Sequence, residues 1–257
     1  MAVVIFFFVH WYASLFCQTF FMHRFAAHKM FTMSRNWERF FYVISLVFQG
    51  SSYLSPRAYA VMHRMHHAYA DTEKDPHSPK YDKNFFSMMM RTREIYNAIY
   101  LQKYDVEERF LGNLPDWDAF DRIADSWLMR IFWGALYFFV YYYLDAQLWM
   151  YFTLLPIQWV MGPFHGVIIN WFAHLYGNTN FKVGDTSKNL FPVDVLMLGE
   201  GYHNNHHKRP LNANFGYKWY ELDPVYPFIV LFKTLGIIKV NEVPLSVNSE
   251  QVRMDVK

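Results

Sequence analysis

Eight histidines fall into three clusters. His203, His206 and His207 lie in "GEGYHNNHH". His63, His66 and His67 form "HRMHH", and His23 and His28 flank "HRFAAH". Imidazole is the commonest metal ligand and suits zinc, copper, iron and nickel. Eight exceed what one ion uses, since a zinc site takes about four ligands, but they suffice for two. On an α-helix positions i, i+3 and i+4 share a face, so each triplet is expected to project three imidazoles into one volume. His23 and His28 are five apart and diverge on a regular helix. One of them is expected past a helix end, and they are open to serving different metals. Carboxylates stand close by: Glu200 before the third cluster, and Asp71, Glu73 and Asp75 after the second. A carboxylate that accepts the second ring N–H fixes the tautomer and aims the other nitrogen.

The remaining histidines read differently. His10 lies 13 residues before His23, about 20 Å up a helix, and is expected to pack rather than ligate. His165 lies nine before His174, on the opposite face of any shared helix, and is left out. His77, in "DPH", reads as a loop residue. Asn170 and His174 are four apart and share a face; spacing alone favours a helix-end hydrogen bond for them.

The elements that must position these residues are apolar. Aromatics make up 21% of the 257 residues and charged residues 18%, below the usual quarter. The mean hydropathy of −0.04 averages long apolar runs with charged stretches, which points to an all-α integral membrane protein with a sizeable aqueous part. The single cysteine, Cys17, excludes an internal disulfide and a cysteine metal cage. A net charge of +2 without a basic block gives no support to nucleic-acid binding.

A crossing helix needs about 20 mostly apolar residues. Residues 1–22 qualify, and lack the charged start and cleavage site of a signal peptide. Residues 127–144 and 148–169 qualify too, with Pro156 and Pro163 as kinks, and "DAQ" between them makes a tight hairpin. Residues 37–54 are assigned to the interface or to packing on the aqueous part, because a crossing there would separate the first two clusters. The hairpin returns the chain, so residues 23–126 and 170–241 share one side. Lys and Arg flank the clusters while the tip near Asp145 has none, which puts that side in the cytoplasm. The domain is expected to cover 1–241, with 242–257 a polar tail.

With these residues in place, the chain resembles the membrane-bound fatty acid desaturases, in particular the acyl-CoA delta-9 type. His23–His28, His63-x2-His66-His67 and His203-x2-His206-His207 match that family's three boxes in order and spacing. "NWFAHLYG" at 170–177, "DTEKDPHSP" at 71–79 and "NFGYKWYELDP" at 214–224 resemble its other elements. The resemblance implies two irons in a cytoplasmic helical cap, with O2 as co-substrate and zinc able to replace iron on purification. It implies His174 as a ninth ligand and Asn170 reaching a metal through water, which reverses the reading from spacing. It further implies removal of two hydrogens from a long acyl chain held in an apolar tunnel, with Phe7 and Trp11 bordering its end. With no fused cytochrome expected, the resemblance implies electrons from a separate ferredoxin or a b-type cytochrome with its reductase. The membrane is the inner membrane of a bacterium or the endoplasmic reticulum of a eukaryote. The chain departs from the family in having room for one helix, not two, before the first box. It also has Tyr59-Ala60-Val61-Met62 where a tryptophan often precedes the second box, with charged residues ahead of it in animal members. A CoA thioester, an acyl carrier protein and an intact lipid are therefore all open as the acyl carrier. A di-iron hydroxylase and a metal-binding membrane protein remain the competing readings.

Overall fold

A computed structural model describes residues 1–241, and the tail at 242–257 lies outside the described residues. The described residues are mostly helical. Helix α1 (Ala2–Cys17) runs without interruption into a π-helix, Gln18–Ala27. Strand β1 (Phe31–Met33) follows, then α2 (Arg35–Gln49), α3 (Pro56–Tyr69) and α4 (Phe85–Tyr100). A bent pair, α5 (Asp118–Ala124) and α6 (Trp127–Tyr143), leads to α7 (Leu148–Trp159) and α8 (Met161–Val167). A second π-helix, Ile168–Phe172, and the short α9 (Ala173–Leu175) complete that arm. After a long loop come α10 (His203–Lys208), α11 (Tyr226–Thr234) and β2 (Ile238–Val240). The strands pair antiparallel, Phe31 opposite Val240 and Met33 opposite Ile238, tying the last described residues back to the segment after the first π-helix.

Helix starts follow from local chemistry. Ser34, Ser55 and Ser126 each accept a backbone N–H of the first turn from Trp37, Ala58 and Met129, and Pro56 sits at the first helical position of α3, where no N–H is needed. Asn84 and Ser87 close a reciprocal capping box on α4.

Ala2–Ala27 is long and apolar enough to cross a membrane; the pairs α5–α6, bent by 49°, and α7–α9, bent by 75°, raise the number to three if each is one span. The third arm is thus not the kinked but continuous helix expected over 148–169. Its break at Val160 has a definite origin. Pro163 has no N–H for the Trp159 carbonyl four residues back. Ser51 and Ser52 donate their hydroxyls to that oxygen instead, at 2.7 and 3.1 Å. Two neighbouring serines therefore satisfy the bent arm where a straight helix would leave an orphan. The expected interfacial segment at 37–54 forms α2, which packs Phe41, Tyr42 and Ser45 inward and leaves Trp37, Phe40, Val43 and Val47 exposed.

Candidate metal centre

The first cluster is carried by the π-helix, not by an α-helix. In such a helix each N–H bonds the carbonyl five residues back, and His28 N–H reaches the His23 carbonyl at 3.1 Å. Residues five apart therefore stack on one face. His28 caps the helix end as expected, but the predicted divergence does not occur: the two rings lie 4.9 Å apart and join the same group.

The triplets also differ from expectation, each splitting between two adjacent volumes. Helical residues turn by about 100° each, so i and i+4 lie close together while i+3 lies to the other side. His63 and His67 accordingly gather with His23, His28 and His206. His66 faces His174, His203 and His207. Here α10 reverses the arrangement of α3, sending its i+3 residue to the first group and its i, i+4 pair to the second. The groups adjoin, with the His67 and His207 rings 4.5 Å apart.

Within each group the Nε2 atoms converge. His23 and His206 approach at 3.0 Å, His206 and His67 at 2.9 Å, His28 and His63 at 2.8 Å. In the second group His174 and His203 approach at 3.0 Å and His66 and His207 at 3.3 Å. In three of these histidines a carboxylate holds the opposite nitrogen, whereas Nδ1 of His203 and His206 has no partner among the described residues. His23 Nδ1–H donates to Glu200 at 2.8 Å, His66 to Asp75 at 2.9 Å and His207 to Asp185 at 2.9 Å. A hydrogen on Nδ1 leaves a lone pair on Nε2. Inward-facing lone pairs repel unless a cation lies between them. About 3 Å is the separation that two nitrogens at right angles adopt around an ion about 2.1 Å from each. The donor set thus fits two cations, one per group.

The carboxylates sort into roles. Glu200, 8% exposed, also accepts the Thr19 hydroxyl. Burial raises its pKa, but His23, Arg24 and Thr19 outweigh that and keep it below the ordinary value. Asp75 is driven down too, burial being overcome by His66 and His77. Asp71 bonds the Ser78 hydroxyl and the Thr186 N–H, and lies 3.9 Å from His174 Nδ1. It acts through Thr186, whose hydroxyl is 3.1 Å from that nitrogen. Glu73 is exposed. Asp185 and Thr186 were not foreseen: they come from the loop after α9, and nothing in their spacing marks them. His77 lies in a loop as read, yet is buried, with its ring 4.3 Å from His66. His10 packs against Tyr137. Asn170 sits on the second π-helix and lines a cavity of about 50 Å³ together with His23, His63 and His203.

The intervening Asn204 and Asn205 explain how a six-residue helix holds three ligands. Both backbone N–H groups donate to Asn189. Asn204 accepts from the Asn180 and Phe181 N–H groups, and Asn205 donates to Phe215 O and Glu221. The approach to α10 needs glycine twice: Gly199 has φ +91°, and a Cβ at Gly201 would sit 2.7 Å from Asp194.

Burial, reinforced by neighbouring imidazoles, pushes His63, His67, His203 and His206 well below the ordinary 6.5. His66 goes the other way, Asp75 overcoming the effect of burial. His28, His77 and His174 are lowered too, so the unfolded chain takes up protons as pH falls through 6.5 that the fold refuses, and stability drops there. The His66 contribution has the opposite sign, being complete below 6.5 and lost as pH rises through its folded pKa. Because the lowered imidazoles outnumber His66, metal-free protein should melt at a progressively lower temperature from pH 7 to pH 5.5 in a thermal scan. A flat profile across that window would contradict the buried neutral cluster.

A helical chain with an apolar span and adjoining histidine groups that could hold metal ions fits a class of membrane-bound metal enzymes. The chain belongs to the fatty acid desaturase family, which it matches over residues 1–230. It is 26% identical over 256 residues to "Delta-9 desaturase-like 2 protein" of Arabidopsis thaliana, covering 94% of this chain and 76% of that one. It is 28% identical over 230 residues to "Delta-9 acyl-lipid desaturase 2" of the same plant (86% and 69% covered). To "Acyl-CoA 5-desaturase AL21" of Anemone leveillei it is 30% identical over 238 residues (90% and 68%). The protein is a desaturase, an oxidoreductase of lipid metabolism.

Proposed function

We propose that the chain introduces a cis double bond into a long acyl chain at two irons, using O2 and electrons from a separate ferredoxin or b-type cytochrome. The observation that carries this is the pair of adjacent groups of converging Nε2 atoms, each backed by carboxylates, beside one buried cavity. His23, His28, His63, His67 and His206 would hold one iron. His66, His174, His203 and His207 would hold the other, with Asn170 reaching it through water. When bound, the irons supply the O2 chemistry that an unactivated methylene requires.

The chain's own residues do the positioning. Glu200, Asp75 and Asp185 fix the tautomers. Phe215 lies 4.7 Å from the His206 ring and 5.5 Å from the His23 ring, closing that side to water. Leu15, Met62, Ile169 and Met197 give the cavity an apolar wall against which methylenes rest. Phe7 and Trp11 pack with Leu15 and Met197 beyond it, where they would limit chain length. The delta-9 position follows the names of two of these relatives, while the third is named a 5-desaturase, and the names include both acyl-CoA and acyl-lipid desaturases. We assign three crossings, with the metal side cytoplasmic and the exposed stripe of α2 in the interface.

The test is expression with an electron donor, followed by mass spectrometry of the cell's fatty acids with double-bond localisation. A new product lighter by two hydrogens is expected. A product heavier by one oxygen would make the enzyme a hydroxylase, and an unchanged profile would remove the proposal.

A further inference from the structure

The cavity wall holds one polar pair that neither metal group uses. Gln18 lies on the first π-helix and His165 on α8, and both line the cavity. His165 is 1% exposed. Its Nδ1 lies 3.2 Å from Gln18 Oε1, so Nδ1 carries the hydrogen and Nε2 keeps its lone pair. That Nε2 is buried and has no partner. Trp11 cannot supply one, because its indole N–H is committed to the Leu196 carbonyl at 3.1 Å. Its ring instead stands edge-on to the imidazole, with centroids 4.4 Å apart at 86°, and fixes it in place. An ionisable side chain within an apolar span marks a functional site by default, and buried polar atoms are nearly always satisfied. A saturated acyl chain offers this acceptor nothing.

We propose that Gln18 and His165 form a subsite for a hydrogen-bond-donating oxygen in the acyl cavity, supplied either by a hydroxyl on the chain or by a resident water. The polarity of the pair makes the ligand class specific. Nε2 accepts, so a hydroxyl or water fits, whereas a ketone, ether or epoxide has no hydrogen to give. The cavity of about 50 Å³ has room for a water, which needs about 10–15 Å³. The inference rests on the acyl-chain reading for what enters the cavity.

The experiment uses full-length protein loaded with zinc, so that binding is read without turnover. Probes are small thioesters of stearate, and of hydroxystearates and oxostearates with the oxygen moved along the chain. If the chain supplies the oxygen, one hydroxyl position should bind about tenfold tighter than stearate, while its oxo counterpart should not. That preference should disappear in His165→Phe and survive in His165→Gln. In Gln18→Leu the imidazole is free to change tautomer, so hydroxy and oxo probes should become equivalent. If water supplies it, no hydroxyl position is favoured, and His165→Phe binds the stearoyl probe several-fold tighter because no hydrogen-bonded water is lost. Equal binding of every probe to native protein and all three variants, at unchanged zinc content, overturns the inference alone. A native protein that binds none of the probes overturns the acyl-chain reading with it.

Discussion

Replacing His206 with alanine abolishes double-bond formation, with product falling at least ~100-fold, beyond the loss typical of an outer partner. His206 Nε2 lies 3.0 Å from His23 and 2.9 Å from His67, at the centre of the five-membered group. Removing it leaves four imidazoles in the first group and the second group intact. The ion of the first group should therefore be held more weakly than in the native protein and leave first in a chelator titration, although about four ligands still suffice to bind one. Fold and membrane insertion should persist, because Asn204 and Asn205 carry the hydrogen bonds that anchor α10. Metal analysis and the fatty acid profile on the same preparation check this. Full activity in this variant would separate the group from the chemistry.

The sequence made the histidine boxes legible because helical spacing and an unusual density of imidazole coincide at α3 and α10. It could not show how they divide. That follows from the angle between i+3 and i+4, once a second helix faces the first. The relation of His23 to His28 was hidden because five-residue spacing reads as divergence unless the helix is of the π type, which no propensity marks. Asp185 and Thr186 were illegible for another reason: they sit on a loop held by distant contacts, Thr186 N–H by Asp71 and Asp185 by His207. Glu200 and Asp75 were legible because they stand close to the boxes in sequence. Pro163 announced a kink in the third arm, but the 75° bend depends on Ser51 and Ser52, more than a hundred positions away. His165 was set aside on sound helical geometry; its partner Gln18 lies on an element whose packing only the tertiary structure reveals.

Asp75 carries the second large effect, and two substitutions divide its roles. The carboxylate is fully buried. It accepts His66 Nδ1–H at 2.9 Å, Asp71 N–H at 2.9 Å and His77 N–H at 3.0 Å. In Asp75→Ala all three donors lose their acceptor, and breaking a buried charged pair costs about 3–5 kcal/mol, so thermal stability should fall sharply and the metals with it. Asp75→Asn behaves differently. Asp71 N–H bonds one carboxylate oxygen and His77 N–H the other, so the single carbonyl oxygen of asparagine keeps one of these bonds and only part of what holds the loop between α3 and α4. What it lacks is the charge that raises the His66 pKa and that makes His66 Nε2 a stronger donor to a metal. Losing such a partner typically weakens metal binding about 10–100-fold. Metal-free Asp75→Asn should therefore melt between the native protein and Asp75→Ala, and lose the ion of the His66 group first in a chelator titration. If Asp75→Asn melts as low as Asp75→Ala while retaining both ions, the carboxylate serves the loop and not the metal centre.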